Sequence, residues 1–353
     1  MRLTGTRTDA APRIFFEQVY GAFQRAEQEM GAPIQRDYAI DGFVVRLRFA
    51  GPALVPLITP ALAHLEMPPD ARRADLTICL WDSASTHTLM PPRPWAQDAC
   101  RARGDVRGFN DTRSRTALAA DVGAVSVLDL QENLGVYWIR AGEQLPTYER
   151  GAPLRVMLHW WMRERNRFLI HAGAVGLDDR GVLLIGKGGS GKSTACVAAA
   201  LAGWQYVADD YCLLASNGEP YVHSLYNSAK LDDAALKNFP ALESVVRNPS
   251  ERAAEKALLD LAQVPAAQLT RRLQLRALVL PRVTGQRDTR LAPIAPSQAL
   301  RALAPSSLFQ LPGTGPAEFF ALANLAQQTP CYYLEAGAEL SQIPQTLQAE
   351  LFL

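Results

Sequence analysis

The sequence predicts an α/β domain built around a phosphate-binding loop (P-loop), preceded by a strand-rich α+β domain. Three observations predict it. A complete G-x-x-x-x-G-K-[ST] run occupies residues 186–193, between an apolar strand-like stretch and an alanine-rich helical one. A second apolar stretch, soon after, ends in the adjacent pair Asp209 and Asp210. Before residue 148 the chain shows one helical period followed by several alternating runs, with no recognisable catalytic motif.

Taken in order, residues 14–30 carry apolar side chains at helical spacing. Phe43, Val45, Leu47 and Phe49 then alternate as in a strand. Residues 53–65 read as a short helix interrupted by prolines, and residues 75–83 as another strand. The three prolines Pro91, Pro92 and Pro94 mark residues 86–104 as irregular. Residues 113–141 read as strands broken at Gly123 and Gly135. A polar stretch with Gly and Pro at both ends, residues 142–153, marks the boundary, giving expected domains at 1–148 and 149–353.

The second domain opens on a mostly buried helix containing Trp160 and Trp161, which read as core packing more readily than as a platform for a base or peptide. Two apolar runs follow, joined by a turn at residues 178–181. The second run enters the glycine-rich loop, and the helix after it stops at Gly203. Residues 205–216 read as a strand, and residues 241–270 read as helix-compatible, with Asn248-Pro249 as a helix start. The tail alternates a strand near 273–281, helices near 297–304 and 317–328, the strand CYYLEAG and a last helix near 341–351.

Bulk properties narrow the function. The chain has 353 residues, 48% of them apolar and 20% charged, an ordinary globular composition. A net charge of +1 argues against a broad nucleic-acid or anionic-membrane surface. No apolar run approaches the roughly 20 residues a spanning helix needs. The N-terminal stretch shows no secretory leader. Five scattered cysteines without a CxxC pair point to a reducing, cytoplasmic setting and to small buried side chains.

The loop is made of Gly186, Lys187, Gly188, Gly189, Ser190, Gly191, Lys192 and Ser193, with Thr194 following. Glycines let successive backbone N–H groups turn inward onto anionic oxygens. The helix that follows adds its N-terminal partial positive charge. Lys192 is placed to reach β- and γ-phosphates, and Ser193 to offer a hydroxyl to Mg²⁺. ATP and Mg²⁺ are therefore the expected cofactors, with ATP taken over GTP because no motif reads the base.

Asp209 follows Lys192 by 17 residues, a spacing filled by one helix of a crossover. The strands before the loop and before the aspartates are then neighbours or near neighbours, with both carboxylates at a strand end, where α/β sheets bind ligands. Phosphoryl transfer needs a group for the metal and a group for the acceptor hydroxyl. Adjacent strand residues point to opposite faces, so the two carboxylates have different jobs.

The order His171, turn at 178–181, loop at 186–193 and Val207-Ala208-Asp209-Asp210 resembles the catalytic domain of HPr kinase/phosphorylase, the bacterial serine kinase of the sugar-transport phosphocarrier. The resemblance covers residues 171–210. The wider chain looks like the HPr-kinase-related proteins found beside peptide-modification genes, some of which phosphorylate a precursor peptide. It implies an HPr kinase/PEP carboxykinase-like fold, and it implies that an unrelated N-terminal domain precedes the catalytic one. It also implies Asp209 as the acceptor's base, Asp210 and Ser193 at the metal, and His171 near the transferring phosphate. The family's downstream glutamate–arginine–glycine segment has no counterpart, so the resemblance does not extend to phosphocarrier recognition or the reverse phosphorolysis. Residues 223–231 stand at a similar distance and offer Asn227 and Lys230; Lys230 is a candidate to touch phosphate or acceptor, with a surface lysine the somewhat favoured alternative. Arg282, Arg287 and Arg290 cluster in an expected loop and read as solvated more readily than as a mobile arginine reaching the transition-state charge.

The expected activity is an ATP- and Mg²⁺-dependent transfer to a hydroxyl, with a serine of a peptide or small protein as acceptor and the first domain recognising it. Nucleic acid and membrane are not expected partners, and homo-oligomerisation is left open. A small-molecule kinase of the same fold, like the related phosphoenolpyruvate carboxykinases, and a nucleotide-gated scaffold without turnover are the alternatives.

Overall fold

The computed structural model describes residues 10–68, 73–215 and 218–353. The reading of the N-terminus as free of a leader falls partly on residues 1–9, outside the described residues. The fold is mixed α/β. It divides into two compact units, one of Met1–Pro60 with Leu65–Trp161, the other of Ala61–His64 with Met162–Leu353. The division falls inside the helix Arg155–Arg163, later than the expected boundary at 148.

In the first unit the helix Ala10–Met30 buries Phe15, Phe16, Val19, Ala22, Phe23 and Ala26, one apolar stripe at helical period. That stripe shares a core with Cys79, Trp81, Val125, Val127 and Val136 of the sheet. The strands Ile34–Ile40 and Phe43–Phe49 pair as a hairpin, and Val45, Leu47 and Phe49 are its buried members. Its two-residue turn, Asp41-Gly42, takes left-handed backbone at both positions, with φ 48 and 83. Residues 113–141 form the strands Ser114–Ala119, Ala124–Asp129 and Leu134–Ile139. The second expected break is displaced: Gly135 lies inside a strand, and the turn is made by Asn133, an asparagine able to adopt φ 52. Trp160 and Trp161 are both buried, and the Trp161 indole donates to Asn133 Oδ1 at 2.7 Å, so they are core residues.

The second unit is built on one mixed sheet. Its central order is Gln205–Ala208, Gly173–Leu177, Arg180–Leu184, Arg272–Val283. Both faces are covered, which is why the central strand reads as an unbroken apolar run. Val182 and Leu184 face a core shared with the helices Lys192–Leu201 and Gln342–Leu351. Leu183 and Ile185 face the opposite core, shared with Pro296–Leu308 and Pro316–Gln328.

The expectation of helix over 241–270 is overturned. Those residues form short 3-10 turns at Pro240–Val245 and Pro249–Glu251 and the strand Ala257–Asp260, which pairs antiparallel with Ser228–Leu231. Proline at the first position of each turn permits a start, but no apolar stripe follows to hold a longer helix. Among the described residues no helix is long and apolar enough to cross a membrane.

One glycine shows how closely the layers meet. A Cβ at Gly173 would lie 2.3 Å from Cys196 Sγ, on the helix packed over that strand. Gly173→Ala is therefore expected to cost about 1–3 kcal/mol by overpacking. Adding Cys196→Ala, which removes the sulfur, should recover much of that loss in chemical denaturation. A double variant no more stable than Gly173→Ala would contradict the packing account.

Candidate functional site

The hairpin that precedes the loop explains how the site assembles. Gly173–Leu177 pairs antiparallel with Arg180–Leu184 on one side and with Gln205–Ala208 on the other. The loop strand and the aspartate strand thus run the same way, one strand apart. Because the strand between them runs the opposite way, its start meets both their ends: Gly173 opposes Leu184, and Ala174 opposes Ala208. His171, just before that start, is delivered to the edge where the loop and Asp209-Asp210 emerge. Strand direction alone brings together three sequence-distant segments.

The loop takes positive φ at Gly186 (135), Gly189 (77) and Gly191 (98), the last leading directly into the helix Lys192–Leu201. Lys192 is 6% exposed, and its ammonium donates to the carbonyls of Gly186 at 2.7 Å and Lys187 at 3.2 Å. Burial lowers its pKa, an effect opposed by the nearby charges of Asp209 and Asp210. The ammonium is held by the loop's own carbonyls, at the edge of a cavity of about 370 Å³. Gly188, Gly189, Gly191, Ser193 and Thr194 line that cavity together with His171, Asp209 and Asp210.

The two carboxylates have opposite environments. Asp209 is 2% exposed; its Oδ2 accepts the backbone N–H of Lys230 at 2.9 Å, while its buried Oδ1 has no hydrogen-bond partner. Burial raises its pKa; the Lys230 N–H and the Ser193 hydroxyl act against this, and the charge of Asp210 adds to it. Asp210 is held on both oxygens, Oδ1 by His171 Nε2 at 2.9 Å and Oδ2 by the Lys230 ammonium. Burial alone would raise its pKa, but Lys230 and His171 outweigh it and keep Asp210 ionised well below the ordinary carboxylate range. Adjacent residues thus differ in proton affinity because the bend that follows the strand Gln205–Ala208 gives them different neighbours.

Ser193 and Asp210, expected at one metal, both line this cavity; the Ser193 hydroxyl acts on Asp209, while Asp210 is held by His171 and Lys230. Lys230 is not a surface lysine. It sits on the strand Ser228–Leu231, its side chain is 19% exposed, and it contacts both aspartates. Its place depends on the pairing of that strand with Ala257–Asp260, a segment whose composition reads as helix-compatible. Asp232 and Lys256 also line the cavity and carried no motif. Asn227 is buried and does not line it. Nor do the three arginines: Arg282 ends a strand and pairs with Glu335, Arg287 lies in a bend, and Arg290 opens the next strand.

The cavity offers cationic and oxygen groups side by side, a lining able to take an anionic ligand. An inward-facing backbone cradle and two ammonium groups offer positive charge to phosphate oxygens. The Asp209 carboxyl and the Ser193 hydroxyl that acts on it are hard oxygen donors of the kind Mg²⁺ accepts, an ion that takes few protein ligands and draws the rest from phosphate and water.

No family model matches the sequence, and no curated protein matches it. Among solved structures, the chain is similar to the Hpr(Ser) kinase/phosphatase from Coxiella burnetii, at 11% identity over 51% of this chain and 94% of that chain, with a TM-score of 0.28. The likeness is remote.

Proposed function

We propose that this chain is an ATP- and Mg²⁺-dependent kinase that moves the γ-phosphate to a hydroxyl, a serine of a peptide or small protein. The carrying observation is the convergence, in one cavity, of the glycine-rich cradle, Lys192, Lys230 and two carboxylates of opposite proton affinity. Asp209 Oδ1 is buried in this cluster without a hydrogen-bond partner of its own, which supports a ligand-binding role.

Ser193 and Asp209 would hold the metal, which when bound neutralises phosphate charge and fixes the angle of the transferred group. Lys192 exchanges the Gly186 and Lys187 carbonyls for β- and γ-oxygens as the triphosphate enters. Asp210 faces the acceptor. Held ionised by its two partners, it accepts a hydrogen bond from the incoming hydroxyl and orients that oxygen for in-line attack; as the new O–P bond forms, the bond from the γ-phosphorus to the ADP oxygen breaks, and the hydroxyl proton passes late to Asp210 and on to water. A loose transition state demands little proton abstraction before the phosphoryl group has largely moved, so a weakly basic carboxylate suffices. His171 fixes the plane of that carboxylate, and Lys230 bridges from it toward the charge developing on the transferred group.

The test is label transfer. With γ-labelled ATP and Mg²⁺, label should enter serine-containing peptide pools and not metabolite pools. Label confined to small molecules overturns the acceptor class, and no ATP consumption with either pool overturns the enzyme reading in favour of a nucleotide-gated scaffold.

A further inference from the structure

A second cavity, of about 670 Å³, opens beside the same loop and is not used by the chemistry described above. We infer that it seats the nucleoside of the bound nucleotide, a purine base with its sugar; this rests on the reading of the loop as a triphosphate cradle.

Three observations support it. The first is position. Gly189 and Val283 line both cavities, so the two lie on either flank of one loop. The aspartates come from the strand on one side of the loop strand, whereas this cavity is formed at the end of Arg272–Val283, the loop strand's parallel neighbour on the other side. A nucleotide whose γ end faces the aspartates directs its nucleoside away from them, onto this flank.

The second is the chemistry of the walls. Leu280, Val283, Ala302 and Pro305 give apolar surfaces suited to the faces of a planar base, and the volume is that of a small-molecule site. The charged lining residues are all cations, Lys187, Arg282 (itself paired with Glu335) and Arg301, beside the hydroxyls of Ser190, Ser306 and Tyr333. That sign suits a ligand attached to a polyphosphate. The Arg282 guanidinium already lies 4.2 Å over the Tyr333 ring, a flat stack on which a base can extend.

The third is exposure. Val283, 75% exposed, lines both cavities, so its side chain is accessible to a nucleoside lying across their shared rim.

Equilibrium titration of the full chain with Mg²⁺-ATP and with Mg²⁺-tripolyphosphate separates this inference from the reading it rests on. Ala302→Phe and Pro305→Trp each fill the cavity. Pro305 is exposed, so its variant keeps the test decisive where Ala302→Phe fails to fold. The expected result is that ATP affinity falls about tenfold or more in the filled variants while tripolyphosphate affinity stays within about twofold. ATP affinity unchanged in Pro305→Trp, or wild-type ATP binding no tighter than tripolyphosphate, overturns the nucleoside site and leaves the cradle standing. A wild-type chain that binds neither ligand overturns both readings.

Discussion

Asp209→Asn will lower phosphate transfer by about a thousandfold or more, the scale of losing a central electrostatic group in a desolvated site. The substitution is nearly isosteric, and the amide oxygen can still accept the Lys230 N–H now bound at 2.9 Å, so the fold is retained. What disappears is the negative charge beside Ser193, and with it the anionic oxygen that has no protein partner. The loss should therefore appear as a metal defect. Metal-free ATP binding stays near the parent value, because the loop and Lys192 are untouched, while the Mg²⁺ concentration for half-maximal rate rises steeply. The parent enzyme should also show an acid limb: burial raises the Asp209 pKa, so its ionised form, and the activity that depends on it, is lost as pH falls through that raised value. Transfer at the parent rate in Asp209→Asn, or a rate loss with unaltered Mg²⁺ dependence, contradicts the metal role.

Lys230→Met will lower the rate by about a hundredfold while ATP affinity changes within about threefold, the pattern of an interaction strengthened in the transition state. Methionine keeps the length and apolar stem of lysine, and the Lys230 backbone N–H that holds Asp209 survives the change. The ammonium bound to Asp210 does not. Asp210 is then left with His171 alone, and the developing charge on the transferred group loses a cation. Lys230→Arg should recover only part of the rate, because a wide planar fork does not reproduce a compact ammonium in a nearly buried slot. An equal loss in ATP affinity and rate would make Lys230 a simple ground-state phosphate contact instead.

The parts legible in the sequence were those encoded locally. The loop at residues 186–193 is a contiguous spacing rule, and the aspartate pair sits at the end of an apolar run. The turn at residues 178–181 marked a hairpin, and the strand directions of that hairpin carried His171 to the site. Helices with a clean stripe, such as Ala10–Met30, were equally plain. The parts that were not legible depend on distant pairing. Lys230 reaches the aspartates because Ser228–Leu231 pairs with Ala257–Asp260, a partner that helix-compatible composition had disguised. The division of labour between Asp209 and Asp210 was set by which neighbours each face meets, which no spacing rule states. Gly135 misled because glycine marks a turn only where the backbone needs positive φ, and here Asn133 supplied it.

The central claim is convergence on one metal-bound triphosphate, and a crystal structure with Mg²⁺ and a non-hydrolysable ATP analogue tests it most directly. The account predicts the β- and γ-phosphates within hydrogen-bond reach of Lys192, the metal on Ser193 with Asp209 bound directly or through one water, and Asp210 with Lys230 facing the γ-phosphate. A triphosphate outside the 186–193 loop, or a metal that neither Ser193 nor Asp209 approaches, contradicts it.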